Sequence, residues 1–155
     1  MDLELDRPRW RSTLNYRVHP RLQLGIEFNP AADEVGPLLT WFLMTENERR
    51  PALFLGTSSD RIGSPEGDQS YYLTVARHHP RWPVSAYLSL NYSEWDDGFN
   101  TPFGVEVALG ERFSVRPMYD GDRAHLMVNY QSQRFTTSLL WVWFERFGVA
   151  FSTRF

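Results

Sequence analysis

The four histidines are the first side chains in this sequence to consider for chemistry. His19, His78 and His79 lie in short stretches that contain prolines, where solvated turn residues are the rule. The adjacent pair would point to opposite faces of a strand, which is unsuited to holding one metal ion. His125 differs because it lies inside a strand-like segment. We therefore predict no metal site.

His125 is also the strongest candidate for a catalytic base, and its surroundings in the sequence argue against that role. A strand-borne base needs a nucleophile on the same face, two residues away, and that position is Met127. The chain has no cysteine, which excludes disulfides, thiolate ligands and thiol nucleophiles. We predict no catalytic residue, no cofactor and no enzymatic activity.

Acidic residues cluster at Glu66-Gly67-Asp68, Asp96-Asp97 and Asp120-Gly121-Asp122. None of these clusters has the ligand spacing of a calcium loop, so they are interpreted as solvated loop carboxylates, with lipopolysaccharide bridged through divalent ions as the functional alternative. The net charge of −3, with no phosphate loop and no basic patch, argues against a nucleic-acid partner.

The elements that must position these residues are strands. Apolar and polar residues alternate with period two along the whole chain, and clusters of Gly, Pro, Asn, Asp and Ser interrupt the pattern. The longest apolar stretches, Leu38–Met44 and Leu139–Phe144, are far shorter than the roughly 18 residues of a spanning helix. Eleven segments are predicted as strands: 10–18, 21–29, 37–45, 51–57, 70–77, 83–93, 102–110, 112–119, 123–131, 134–144 and 147–155.

Tight and longer connections alternate strictly between these segments, and the hairpin near Glu145 is the one unusually short member of the longer set. Short turns at one end and longer loops at the other are typical of a transmembrane β-barrel. If both termini lie on the tight-turn side, one more strand is needed, and Leu3–Asp6 is the candidate. We predict a single domain, 1–155, that forms a closed antiparallel up-and-down barrel of about 12 strands, or 10 if two segments are parts of one bent strand.

The composition of the two strand faces indicates which face meets lipid. The apolar face carries Val, Leu and Phe, whereas the polar face is rich in Gly, Ala and Ser and poor in charge, which suits a narrow enclosed lumen better than a wetted exterior. Segments 37–45 and 134–144 are apolar on both faces and stay unassigned. The predicted lumen-lining residues are Arg11, Asn15, Arg17, Gln23, Glu27, Asn91, Glu106, Arg116, His125, Asn129 and Arg154.

Register arguments pair several of these charges. A turn centred on Glu111 places Glu106 opposite Arg116, and a turn at Pro20 places Glu27 diagonal to Arg11. Arg154 would face Glu4 in a closed barrel. The 6 Trp, 7 Tyr and 11 Phe are enough to form interfacial girdles, and the rings predicted there are Tyr16, Trp82, Tyr92, Trp95, Tyr119, Tyr130, Trp141 and Trp143.

The last segment resembles the carboxy-terminal strand of bacterial outer-membrane, porin-like β-barrel proteins. It ends in Phe155 and has Phe151, Val149 and Phe147 at alternate positions, with Gly148 between them, although Thr153 stands where that family usually has an apolar residue. The resemblance implies the bacterial outer membrane and the barrel-assembly machinery as a transient partner. The N-terminus does not resemble a signal peptide, so the chain is interpreted as a mature form.

The function that these features predict is a narrow passive pore for small solutes or ions, with the lipid bilayer as its surroundings. Two alternatives remain open. One is a plugged barrel that serves structure or surface contact, and the other is a soluble β-barrel that binds an apolar ligand.

Overall fold

The structure is a computed structural model, and it describes residues 11–29, 34–60, 64–65 and 67–153. These residues form one all-β, antiparallel, up-and-down sheet without a helix. Its twelve strands are β1 Ser12–His19, β2 Leu22–Asn29, β3 Glu34–Met44, β4 Ala52–Ser59, β5 Gln69–His78, β6 Val84–Ser93, β7 Gly98–Asn100, β8 Phe103–Ala108, β9 Phe113–Tyr119, β10 Ala124–Gln131, β11 Phe135–Val142 and β12 Arg146–Thr153.

Each strand pairs with its neighbours in sequence, except that β6 pairs with both β7 and β8. Pro102 lies between β7 and β8. Because proline has no N–H to donate to β6, the pairing along this side of β6 is interrupted at Pro102. All eleven predicted segments are confirmed as strands. The twelfth strand is the short β7, whereas the predicted strand Leu3–Asp6 lies outside the described residues.

The connections divide the sheet into two ends. The turn end carries residues 20–21, 45–51, 79–83, 109–112 and 132–134, and the loop end carries the connections after β2, β4, β6, β9 and β11. The predicted alternation of tight and longer connections is not borne out by length, because the connection 45–51 at the turn end has seven residues, whereas 120–123 at the loop end has four. The short hairpin after β11 has positive φ at Trp143 (54°) and Phe144 (57°), as a type I′ turn requires, although Asn-Gly is the usual sequence there.

Burial is inverted relative to a soluble protein. Within the described part of the chain no apolar side chain is buried, and the buried side chains are polar, such as Asn129 at 4% exposure. The opposite face exposes Leu88 at 52% and Val149 at 75%. Fully buried apolar residues form the core of ordinary domains. The predicted division of faces, with Val-Leu-Phe rows outward and Gly-Ser-Glu-Arg rows inward, is confirmed.

The structure also assigns the two segments that are apolar on both faces. In β3 the exposed side chains include Val35 and Trp41, and in β11 they include Leu139 and Trp141. Register decides the assignment, because Leu139 is paired with Val128 on one side and Val149 on the other, so that the three share one face.

Large inward side chains cover inward glycines on neighbouring strands. Tyr87 is paired with Gly104, and Tyr72 is paired with Gly56. A Cβ at Gly104 would lie 2.6 Å from the Tyr87 ring, and one at Gly56 would lie 2.6 Å from the Tyr72 hydroxyl. Glycine positions of this kind allow a sheet to curve, and an adjacent ring restores the lost packing.

The sheet is not closed within the described residues, since β1 and β12 end the strand order and no pairing joins them. Without β7, the order contains eleven strands. An odd number of antiparallel strands makes β1 and β12 run in the same direction, so antiparallel closure requires one further strand between them.

Candidate functional site

A cavity of about 650 Å³ lies on the concave, polar side of the sheet. Its wall extends from Glu46 and His78 at the turn end to Asp60 and Asp120 at the loop end. A second cavity of about 270 Å³ adjoins the turn end, and both have Glu106 in their walls. Within the part of the chain that the structure describes, the space therefore runs the full height of the strands.

The best-connected polar group on this wall is centred on Glu106. Its carboxylate forms an ion pair with Arg116 and accepts a hydrogen bond from the Ser114 hydroxyl (2.6 Å). Asn129 donates to Ser114 (3.1 Å) and accepts from the Ser138 hydroxyl (2.7 Å). The network joins β8, β9, β10 and β11, and the predicted Glu106–Arg116 contact is confirmed.

A second polar group lies near the loop end of β1 and β2. Arg11 Nε is 3.0 Å from Glu27 Oε1, and Glu27 is paired with Thr13 in the ladder, which confirms the predicted diagonal contact. Glu27 also accepts a hydrogen bond from the Ser59 hydroxyl. The contact extends this group from the edge of the sheet to β4.

The buried carboxylate of Asp60 anchors the neighbouring loops. It accepts hydrogen bonds from the Ser93 hydroxyl (2.6 Å) and from the Trp95 backbone N–H (3.3 Å). The Arg11 guanidinium donates to the Asp60 carbonyl oxygen (3.5 Å). A carboxylate that is 1% exposed needs such donors, because an uncompensated buried charge is costly.

His125, the candidate base, is 6% exposed, and its Nε2 lies 2.6 Å from Asp120 Oδ2. Burial opposes ionisation of Asp120, but hydrogen bonds from His125 and from the backbone N–H groups of Arg123 and Asp122 outweigh it and lower the pKa of Asp120 to about 2. A histidine and a carboxylate thus meet in the cavity wall. The structure shows no hydrogen bond from a serine or threonine hydroxyl of the described chain to this imidazole.

Trp143, a predicted girdle residue, lies at the loop end in the hairpin between β11 and β12. The Arg123 guanidinium lies 4.8 Å from the centre of its ring, and the His125 ring is 6.4 Å away. Its buried Nε1 has no hydrogen-bond partner among the residues that the structure describes. The positive φ of Trp143 reverses the chain at this point, so strand alternation does not predict where its side chain points.

The predicted lumen residues divide into three groups. Arg11, Asn91, Glu106, Arg116 and His125 line the larger cavity. The next group lies outside its wall: Asn129 and Glu27 are buried in the polar groups above, Gln23 is half-buried on β2, and Asn15 and Arg17 are exposed on the edge strand β1. Arg154, with its proposed partner Glu4, lies outside the described residues.

The sequence prediction missed the apolar part of the wall. The residues concerned are half-buried and contribute to the cavity from two sides: Phe54, Tyr72 and Tyr87 from β4–β6, and Met118, Met127 and Leu140 from β9–β11. Successive side chains of a strand alternate between its two faces. Counting in steps of two from the inward polar residues of each strand would therefore have placed most of these apolar residues on the inner face.

No protein-family model matches the chain, and no curated protein or solved structure is significantly similar to it. Among the described residues there is no helix long and apolar enough to cross a bilayer. In the same part of the chain no three His, Cys, Asp or Glu side chains come together as a metal site would require.

The Asp120–His125 contact predicts a pH-dependent stability. Because the pKa of Asp120 is lower in the folded chain than its ordinary 3.8, ionisation stabilises the fold above pH 4, and this contribution disappears as the pH falls towards 2. We expect Asp120→Asn to lower the free energy of unfolding by about 1 kcal/mol at pH 7, since water at the loop screens part of the interaction. Chemical unfolding followed at pH 7 and pH 2 measures this. A loss of equal size at both pH values would contradict the assignment.

Proposed function

We propose that the chain is a bacterial outer-membrane β-barrel, closed by a strand from Leu3–Asp6, and that it acts as a narrow passive pore for small solutes or ions. The inverted burial supports the membrane assignment. Exposed apolar side chains cover one whole face of the sheet, including Ile26, Leu73 and Leu139. Soluble monomers rarely expose apolar patches beyond a few hundred Å², whereas a lipid-facing strand requires them.

Aromatic rings at both ends of this face add support. At the turn end, rings of Phe113, Tyr130, Phe135 and Phe151 follow one another across β9–β12 with centroid spacings of 5.2–6.3 Å. At the loop end, Trp141 stacks on Phe147 at 5.6 Å. Residues 135 and 141 of β11 are about 20 Å apart along the strand at roughly 3.4 Å per residue, which is close to the height of a lipid-facing band flanked by aromatic girdles.

The observation that carries the pore assignment is the full-height cavity. A plugged barrel would fill its interior between the two ends, whereas here the wall residues of one cavity include both Glu46 at the turn end and Asp120 at the loop end. The bilayer, lipopolysaccharide at the loop end and the barrel-assembly machinery are the partners that this proposal implies.

Adjacent residues on opposite faces of β10 test the proposal directly. Met127 lines the cavity and Val128 is exposed on the outer face, and the chain has no native cysteine. In liposomes containing Met127→Cys or Val128→Cys, we expect a small, charged thiol reagent added on both sides to label the first at least tenfold faster, since hydrocarbon excludes charged reagents. Steady conductance steps in planar bilayers should accompany this labelling.

The other outcomes identify the alternatives. Protection of both positions, with electrically silent bilayers, would favour a plugged barrel. Fast labelling at Val128→Cys, in a protein that stays monodisperse without detergent, would rule out the membrane assignment.

A further inference from the structure

The larger cavity has an apolar wall at the middle of its height. Met127 and Leu140 are directly opposite each other on β10 and β11, and Met118 lies nearby on β9. Phe54 and Tyr87 line the cavity from β4 and β6. All five side chains are half-buried. The accessible part of each side chain therefore borders the cavity rather than a packed core.

Two carboxylates on the same wall have side-chain partners, and two further charged groups are bonded to the backbone. Glu106 is bound to Arg116 and Asp120 to His125. Arg77 donates to a backbone carbonyl (3.1 Å), and Glu46 accepts from a backbone N–H (2.6 Å). Displacing Arg116 from Glu106 or His125 from Asp120 would remove the partner of a partly buried charge, which is costly, whereas Arg77 and Glu46 are exposed. These groups carry charges of both signs, so the wall favours neither anions nor cations.

Hydroxyl groups accompany the apolar side chains. Thr74 and Ser89 both line the cavity and are hydrogen-bonded to each other at 2.7 Å. The hydroxyl that donates in this bond can still accept a hydrogen bond, and the other can still donate or accept one. Ligand sites commonly combine an apolar wall with a few polar groups of this kind, in cavities of 300–1,000 Å³.

We infer that this cavity binds small, uncharged, amphipathic solutes, with an aromatic or aliphatic body against the Met127–Leu140 wall and hydroxyl groups towards Thr74 and Ser89. This inference rests on the proposed pore and names its solute class. Charged solutes and fully polar sugars pass without being retained.

The probe is 4-nitrophenyl glucoside, an uncharged aryl glycoside that joins an aromatic ring to a hydroxyl-rich sugar. Glucose is the comparison without the ring, and 4-nitrophenyl sulfate is the comparison with a charge. Equilibrium dialysis against the detergent-solubilised protein measures binding, and block of the single-channel current measures binding in the open pore. We expect the glucoside to bind about tenfold more tightly than either comparison compound.

Two near-isosteric variants test the wall. Met127→Gln and Leu140→Asn make it polar with little change in volume, and we expect each to weaken glucoside binding about fivefold. The matched control is Val142→Thr, a half-buried β11 residue outside the cavity wall, which should leave binding unchanged. Heat-modifiable migration on a gel verifies that each variant is folded.

The results separate this inference from the proposed function. Conductance without block, together with equal dialysis binding of glucoside and glucose, would overturn the solute class and leave the pore standing. Dialysis binding that is weakened by the wall variants in a protein without conductance would support the site and refute the pore. Tighter binding of the sulfate than of the glucoside would also overturn the inference.

Discussion

Substituting one inward-facing glycine should destabilise the sheet more than most substitutions of its polar side chains. We expect Gly56→Ala to lower the free energy of unfolding by about 3 kcal/mol, the upper part of the range for overpacked sites. The new methyl would overlap the Leu39 carbonyl oxygen and lie 2.6 Å from the Tyr72 hydroxyl. A carbonyl inside a ladder cannot move away without breaking the pairing of β3 with β4.

The matched control is Gly148→Ala on β12. A Cβ there would meet only Leu140 Cβ at 3.8 Å, which is ordinary van der Waals contact. Its unfolding free energy should change by no more than about 0.5 kcal/mol, because the added methyl has space and alanine restricts the unfolded chain. The two variants thus make the same chemical change in two different surroundings.

Unfolding by urea in detergent or liposomes, followed by gel migration and tryptophan fluorescence, measures both variants. If Gly56→Ala unfolds at the same urea concentration as the parent chain, then β3, β4 and β5 do not approach one another as closely as the structure describes. Equal losses in both variants would mean that any methyl on the inner face is disruptive, irrespective of its neighbours.

Reversing Glu106 should change both stability and ion selectivity. In Glu106→Arg, two guanidinium groups would occupy opposing positions, and Ser114 would lose its carboxylate acceptor. We expect a loss of about 2 kcal/mol in unfolding free energy, less than for a fully buried pair because both side chains are partly exposed to solvent. The cavity wall also loses one negative charge and gains one positive charge, a net change of about +2, so a conducting pore should favour anions.

The exchanged pair is the control for this prediction. Glu106→Arg combined with Arg116→Glu restores opposite charges at the same two positions, and we expect it to recover more than half of the lost stability and the parent selectivity. Urea unfolding and the reversal potential in a salt gradient give the two readouts. A single reversal that alters neither would show that the pair has no role in folding or in the pore.

How far the sequence predicts this fold depends on the element. The alternation of Leu22, Leu24 and Ile26 with polar residues predicts β2, and the same holds wherever one face is apolar, because strand side chains alternate strictly. The pattern is uninformative at β3 and β11, where both faces are apolar. The exposed side of Leu139 becomes evident only from its pairing with Val128 and Val149.

The candidate site was predicted in part for the same reason. Glu106 and Arg116 are joined by a tight turn, so their contact follows from counting outward along the hairpin. The network that links Ser114, Asn129 and Ser138 involves three strands whose relative register depends on two different connections. No local pattern contains that information.

The sequence by itself determined the strands and the division into an apolar and a polar face, since both follow from local periodicity and turn chemistry. Only the tertiary structure decided how strongly the sheet curves, which side chains share the cavity, and that Met127 and Leu140 form an apolar wall within a polar interior. Contacts such as Tyr72 over Gly56 join side chains of different strands, and such contacts exist only once the strands have paired.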